Sequence, residues 1–405
     1  MSLNVRPILS ALLRNRSGAA LVAMQVAIAL AVLVNAVYII VQRIEKIHRP
    51  TGIDEQNILV VQSAGFTGRF RQTASVREDL AYLRGLSGVI AATATNSIPL
   101  SSGGNSDSLV TRPDAQRTGY INDLEIDEQG LDALGVKLVA GRNFRHDEIQ
   151  PALTKNDAFR FVPQIIVSRA LGEQLFPSQS PLGKQVYDAA NHAATIIGVV
   201  DPVMGNFPSS EHPDWVFFLP RLPDEFIVVR YLVRTQPGQR DRLWRIVESH
   251  LARSNPDRVV NFVRPLTYFK NLSYLGDSSM EIYLLTVTGL VIAVTCLGVF
   301  ALATFNVSTR TKQIGTRRAV GARRRDIVRY FLIENGLITS AGVLVGCALA
   351  LGTGYGLSLQ YALPRLNLYY LVGGVLALWA IGQLAAWQPA RRAARVSPSV
   401  ATRTV

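Results

Sequence analysis

The sequence predicts an α-helical membrane protein with four transmembrane helices and a large mixed α/β domain outside the membrane. Three observations predict it. Four stretches are long and apolar enough to cross a bilayer core, which takes about 20 residues of helix. The basic residues gather on one side of the topology those stretches define. The long segment between the first and second stretches alternates strand and helix patterns. Composition agrees. Of 405 residues, 48% are hydrophobic and 18% charged, against about 25% charged in a soluble domain. Such a chain is neither disordered nor a disulfide-stapled mini-protein.

The first stretch is Gly18 to Val41, a span over 18–42. Arg6, Arg14 and Arg16 precede it, as in a signal peptide. Its apolar run is too long for that and no AxA-type cleavage site follows, so it is read as an uncleaved span. The second runs over 282–305, the third over 331–357 and the fourth over 368–387, with a short outer loop at 358–367. Glu334 is the one charged residue in the four stretches. Four residues into its span, it is accounted for by an interfacial pair with Arg329 or Arg310; a proton relay is the alternative. Cys296 and Cys347 lie inside apolar stretches without a CxxC motif or a His cluster, and read as small buried residues. Gly342, Gly346, Gly352 and Gly356 give the third span a face for close packing.

Four spans put both termini and the 306–330 segment on one side. Segments 1–17, 306–330 and 388–405 hold 15 Lys and Arg residues and one acid, Asp326. Segment 43–279 holds 26 basic and 26 acidic residues. The positive-inside rule assigns the basic side to the cytoplasm. The net charge of +13 is then a topology signal, and nucleic-acid binding is not expected.

In the outer domain, 57–64 and 89–95 are strand patterns. Between them, 75–86 has Val76, Leu80 and Leu83 at helical spacing behind a Ser75 cap. A second β–α–β pattern follows: strand 227–234, helix 239–252 with Leu243, Ile246, Val247 and Leu251 on one face, and strand 259–263. One small α/β subdomain (about 50–119 and 223–270) is therefore interrupted by another (about 120–222). The insertion has strand candidates at 164–168, 194–200 and 216–219 and a helix at 168–175. Ser101 to Gly104 reads as a flexible loop. Tyr268, Leu272 and Leu275 are spaced to extend the second span as a stalk, with Asp277 to Ser279 fraying it.

No catalytic or metal set emerges. His48, His146, His192, His212 and His250 are scattered, without HExxH spacing. Asp123, Glu125, Asp127 and Glu128 resemble a calcium loop only faintly and read as a solvated face or a helix N-terminus. Neither GxSxG nor GxxxxGK[ST] occurs; Gly183-Lys184-Gln185 is a fragment of the latter. No catalytic residue, metal site or bound cofactor is expected, and no substrate-binding residue can be named.

The most informative segment is Ser308 to Arg329. Gly315 and Gly321 break it into short pieces. Ala319, Val320, Ile327 and Val328 suit an amphipathic helix at the inner membrane surface, with arginines toward lipid head groups or a partner. A basic topology determinant alone is the other reading.

This segment resembles the loop after the second span of FtsX-like permeases, written R-x-x-E-I-G-x-R-x-A-x-G-A-x-x-x-x-I. The matching residues are Arg310, Ile314, Gly315, Arg317, Ala319, Gly321, Ala322 and Ile327. The tail Gln388 to Pro398 is similar to the family's closing P-A-x-x-A-x-x-x-x-P. Pro163 to Pro177, Pro181 to Lys184 and Ile197 to Asp201 are similar to the MacB-type periplasmic domain. The resemblance implies a permease of a MacB-like, type VII ABC exporter in a bacterial inner membrane. It makes the outer domain periplasmic, a porter-like part interrupted by a Sabre-like part. It implies mechanotransmission, in which ATPase movement reaches the outer domain through the helices.

The resemblance also implies the partners: two copies of an ABC ATPase that bind ATP and Mg, a second permease chain (a homodimer or heterodimer), membrane lipids, and a periplasmic adaptor with an outer-membrane channel. MacB fuses its ATPase to the permease; this sequence shows no such fusion, and a separate ATPase is expected. Coupling falls to Arg310, Gln313, Ile314, Gly315, Arg317, Arg318, Ala319, Gly321, Ala322, Arg324 and Ile327. In the tail it falls to Pro389, Arg391, Arg392, Arg395 and Pro398. Two positions depart from the family: Gln313 replaces its usual Glu, and Val400 stands near another. Alternatives of the same plan are a lipoprotein-releasing permease and a non-transporting mechanotransmitter controlling a periplasmic enzyme; a membrane-bound sensor is a different class.

Overall fold

The computed structural model describes residues 16–67, 70, 72–113, 115, 119–151, 162–222, 228–361 and 366–396. The chain divides into two compact units, one of residues 1–47 and 277–405, the other of 48–276.

The 48–276 unit is built on two sheets. The first comprises β1 (Ile58–Gly65), β2 (Val89–Thr95), and, after the insertion, β11 (Val228–Thr235) and β12 (Arg258–Pro265), in the order β12-β1-β11-β2. β1 pairs antiparallel with both β11 and β12, and β11 pairs antiparallel with β2. This is a split β-α-β arrangement. Its crossover helices run at Gln72–Gly85 and Arg240–Ser254. The run Ile58 to Val61 has no polar alternation because both faces of the sheet are covered. Leu59 and Val61 point into a cluster with Val76, Leu80, Leu83, Leu243 and Val247 of the two helices. Ile58 and Val60 point into the opposite cluster with Leu124, Ile126, Phe218 and Phe269.

The insertion forms the second sheet. Its strands are β3 (Ser106–Asp107), β4 (Ile121–Ile126), β5 (Leu138–Gly141), β6 (Gln150–Pro151), β7 (Gln164–Ser168), β8 (Gln185–Tyr187), β9 (Ala193–Val200) and β10 (Val216–Leu222). The main path is β3-β4-β10-β7-β9-β5, with β6 on β10 and β8 on β9. It begins at Ser106, earlier than the sequence suggests, because β3 pairs with β4 through Ser106 and Asn122. Ser168 ends β7 and caps the following helix, its Oγ accepting from Leu171 N at 3.3 Å.

Counting helices in chain order, α1 is Arg16–Ile47, α2 Gln72–Gly85, α3 Gly130–Leu134, α4 Arg169–Leu175, α5 Arg240–Ser254, α6 Leu266–Ser273, α7 Leu275–Thr309, α8 Thr311–Ala319, α9 Arg324–Tyr361 and α10 Leu368–Ala393. Among the described residues, four helices are long and apolar enough to cross a membrane: Ser17–Ile47, Leu275–Thr309, Arg324–Gln360 and Leu368–Ala393.

Several expectations change. Asp123 and Glu125 are neither a solvated face nor a helix start: they lie in β4 and are buried, whereas Asp127, also buried, accepts from Gln129 N at 3.1 Å at the start of α3. Acids in a central strand carry no apolar periodicity, so the strand was invisible. Ser75 is no cap; it is buried in the second turn of α2, which starts at Gln72. Ser101 to Gly104 is a tied turn: Ser101 Oγ donates to Ile98 O (2.7 Å), and Ser102 N to Asn206 O (2.9 Å). The stalk breaks at Tyr274, between α6 and α7, whereas Asp277 to Ser279 are helical. Asp277 holds there because it is ion-paired with Arg43.

In the helical unit, α1 packs on α9 and α10 around Val22, Val26, Leu30, Val34, Ile338, Val343, Leu371 and Leu378. Two glycines explain the closeness. A Cβ at Gly342 would lie 2.5 Å from Ala23 O, and one at Gly346 2.9 Å from Ala27 O. Gly352 and Gly356 meet nothing within 4 Å, so only half of the expected small-residue face is used. Asn35 Nδ2 joins the same helices, donating to Ala350 O at 3.2 Å and Thr353 Oγ1 at 3.0 Å. Cys296 and Cys347 are free and half-buried.

Candidate coupling site

The residues between α7 and α9 fold as a short helix and a tight turn. Gly315 does not break the segment; it lies inside α8 and is buried. Gly321 does, with φ +101°. Gly321 N donates to Arg318 O (3.1 Å) and Ala322 N to Arg317 O (3.0 Å), the two bonds of a Schellman cap. Only glycine takes that backbone without strain. Asp326, the lone acid, lies in the first turn of α9: its carboxylate accepts from Arg323 N at 3.1 Å, half of a capping box.

One side of this hairpin is anchored. Ile314, Ile327 and Phe331 pack with Ala390, Ala393 and Ala394 at the end of α10. Arg318 Nη1 donates to Ala394 O (3.1 Å) and Val396 O (2.7 Å), satisfying carbonyls that a helix C-terminus leaves open. Arg310 ends the anchor: its Nη1 lies 2.9 Å from Glu334 Oε2 and 3.4 Å from Tyr330 Oη. Glu334 is only 2% exposed, buried inside the unit, and of the two expected arginines Arg310 is its partner. Burial of a carboxylate is costly unless paired.

The other side is free. Gln313, Arg317, Ala319 and Arg324 are exposed, and Val320 is 84% exposed. Ala319 and Val320 therefore take no part in the packing of the hairpin on α10, whereas Ile327 does. Arg317 lies 4.9 Å from the Tyr330 ring centroid and Arg391 5.1 Å from that of Trp387, contacts that hold guanidinium groups at the surface. Pro389 is buried inside α10, while Arg391, Arg392 and Arg395 are exposed. Pro398 and Val400 lie outside the described residues. The sequence reading missed Tyr330, Phe331, Ala390, Ala393 and Ala394 as members; the i, i+4 spacing of Ile327 and Phe331 was the available signal.

The arrangement is an apolar-tipped basic knob seated on three helix ends. Among the described residues, no group of three or more His, Cys, Asp and Glu side chains could hold a metal. Gly183 (φ +75°) closes a turn before β8, with no helix behind it to cradle a phosphate.

Comparison with known proteins places these features. Residues 17–247 match a family model described as the MacB-like periplasmic core domain, and residues 285–398 match the FtsX-like permease C-terminal model. A macrolide export ATP-binding/permease protein MacB from Azoarcus sp. (strain BH72) is 29% identical over 255 residues, 60% of this chain and 38% of that protein. A protein of the same name from Bartonella henselae is 29% identical over 290 residues, 68% of this chain and 41% of its own length. This chain thus spans about two-fifths of the curated relatives it matches. The crystal structure of the periplasmic region of MacB from Actinobacillus actinomycetemcomitans is 18% identical, with a TM-score of 0.33, covering 56% of this chain and 96% of that one. The periplasmic-core match alone takes in more than half of the chain, and the chain belongs to the MacB-like, FtsX-type family of ABC transporter permeases.

Proposed function

We propose that the chain is the permease of a MacB-like ABC exporter that converts ATPase movement into movement of its periplasmic domain, expelling substrate from the periplasm. The observation that carries this reading is the knob: anchored through Ile314, Ile327, Arg318 and Arg310, yet exposing Val320 amid arginines. An exposed apolar tip in a basic rim suits a protein partner. A topology signal needs only charge, not a capped and buried scaffold. The partner is an ABC ATPase, two copies to a pair of permease chains, supplying the ATP and Mg site that these residues lack. Gln313, Arg317, Ala319, Gly321, Ala322 and Arg324 form or shape the docking face, with Arg391, Arg392, Arg395 and Pro398 beside it. The basic segments put this face and both ends of the sequence on the cytoplasmic side of the inner membrane. A periplasmic adaptor and an outer-membrane channel complete the exporter.

The path for movement starts at Arg310–Glu334 and α9. It passes to α1 at Gly342, Gly346 and Asn35, and reaches the periplasmic unit along α1 and α7. The test is hydrogen exchange on the chain with its ATPase in lipid nanodiscs, with ADP or with ATP and vanadate. Exchange within 48–276 should differ between the two states. Differences confined to the ATPase and 306–330 would refute mechanotransmission.

A further inference from the structure

The chain passes between its two units at two places only, Ile47–His48 and Gly276–Asp277. A charge cluster sits at both. Arg43 bonds the Asp277 carboxylate, and Lys46 Nζ lies 3.5 Å from Asp277 Oδ2. Arg43 and Lys46 are three residues apart in the last turns of α1 and share a face. Asp277 occupies the first turn of α7, where the helix dipole favours an acid. The side chains of Arg43, Lys46 and Asp277 are 28%, 27% and 13% exposed. Coulomb attraction is stronger in such a half-buried cluster than between fully solvated charges.

Farther along, α1 and α7 are held together by Gln25 Nε2, which donates to Val294 O at 2.8 Å, and by the closeness of Gly18 to Leu302. Near the crossing, Leu275, Met280, Ile282 and Tyr283 of α7 are exposed, so apolar packing does not supply a bond there.

We propose that Asp277 is a positioning residue: with Arg43 and Lys46 it clamps α1 to α7 where both join the periplasmic unit, so the two crossings move together. The role rests on the mechanotransmission reading. α9 grips α1 closely, so movement of α9 reaches the Ile47–His48 crossing directly. Without the clamp, the Gly276–Asp277 crossing follows less faithfully and part of the movement becomes sliding of α7.

The test uses the full chain with its ATPase in nanodiscs, with Cys296 and Cys347 replaced by Ala and spin labels at Glu45→Cys and Ser279→Cys, both exposed. The label–label distance is measured with ADP and with ATP and vanadate. The parent should give one narrow distance in both states. Asp277→Ala should give a broader distance that shifts with nucleotide, at an unchanged ATPase rate. Arg43→Asp/Lys46→Gln/Asp277→Arg should restore the narrow distance. A distribution in Asp277→Ala as narrow as the parent's, or no restoration by the reversed cluster, would overturn the clamp. If nucleotide moves nothing anywhere in the parent, the mechanotransmission reading fails, while the ADP distances still decide whether the clamp exists.

Discussion

Asp123 is an acid in a central strand, and its surroundings make its charge costly. Burial raises its pKa most, Glu125 repels it next, and Asp107 adds to both; the Asn96 amide, donating at 2.9 Å, offsets only part. The result is a carboxyl pushed up to about 7 from an ordinary 3.8. The folded state then holds a proton that the unfolded state releases. Stability falls as pH climbs from about 4 to about 7 and levels off above. Asp123→Asn should raise the thermal midpoint at pH 8 by several degrees, at ~2–4 °C per kcal/mol, with the gain fading toward pH 4. Thermal unfolding of both proteins across that range checks it. Gly321 gives a second residue-scale prediction. No atom lies within 4 Å of a Cβ placed there, so Gly321→Ala acts only through the backbone, at about 1–2 kcal/mol. Faster amide exchange at Gly321 and Ala322, with α9 unchanged, is the expected signature.

At the scale of elements, α1 and α9 meet through glycine. Gly346→Val should force the helices apart and lower the melting temperature markedly, whereas Gly352→Ala, with open space around it, should be silent. A pair of melting curves separates the two. Arg310→Met leaves the Glu334 carboxylate buried without its partner, at a cost of about 3–5 kcal/mol. Arg310→Met/Glu334→Leu should recover most of that stability in the same assay. These contacts also show where sequence reading stops. The spans were legible because a bilayer demands length and apolarity, and β1, β2, β7, β9 and β10 because β-branched runs mark strands. β4 was not, since Asp123 and Glu125 are paid for by partners distant in the chain, Asn96 and Arg221. Gly315 and Gly321 look alike in sequence; only the backbone shows that one is packed inside a helix and the other ends it.

For the whole molecule, the periodicity of two β–α–β units around an insertion foretold the split sheet, while the start of the insertion escaped because β3 has only two residues. The knob was legible as a motif, but its function depends on which residues face outward, and that needed three helix ends in place. The central claim is that this face recruits an ABC ATPase. The most direct measurement is quantitative mass spectrometry of what co-purifies with the full chain from its native membrane, beside Arg317→Glu/Val320→Asp/Arg324→Glu, a variant altered only at exposed positions. An ABC ATPase should accompany the parent and fall at least tenfold with the variant, at equal permease yield and melting temperature. Finding no ATPase with the parent, or undiminished ATPase with the variant, would contradict the claim.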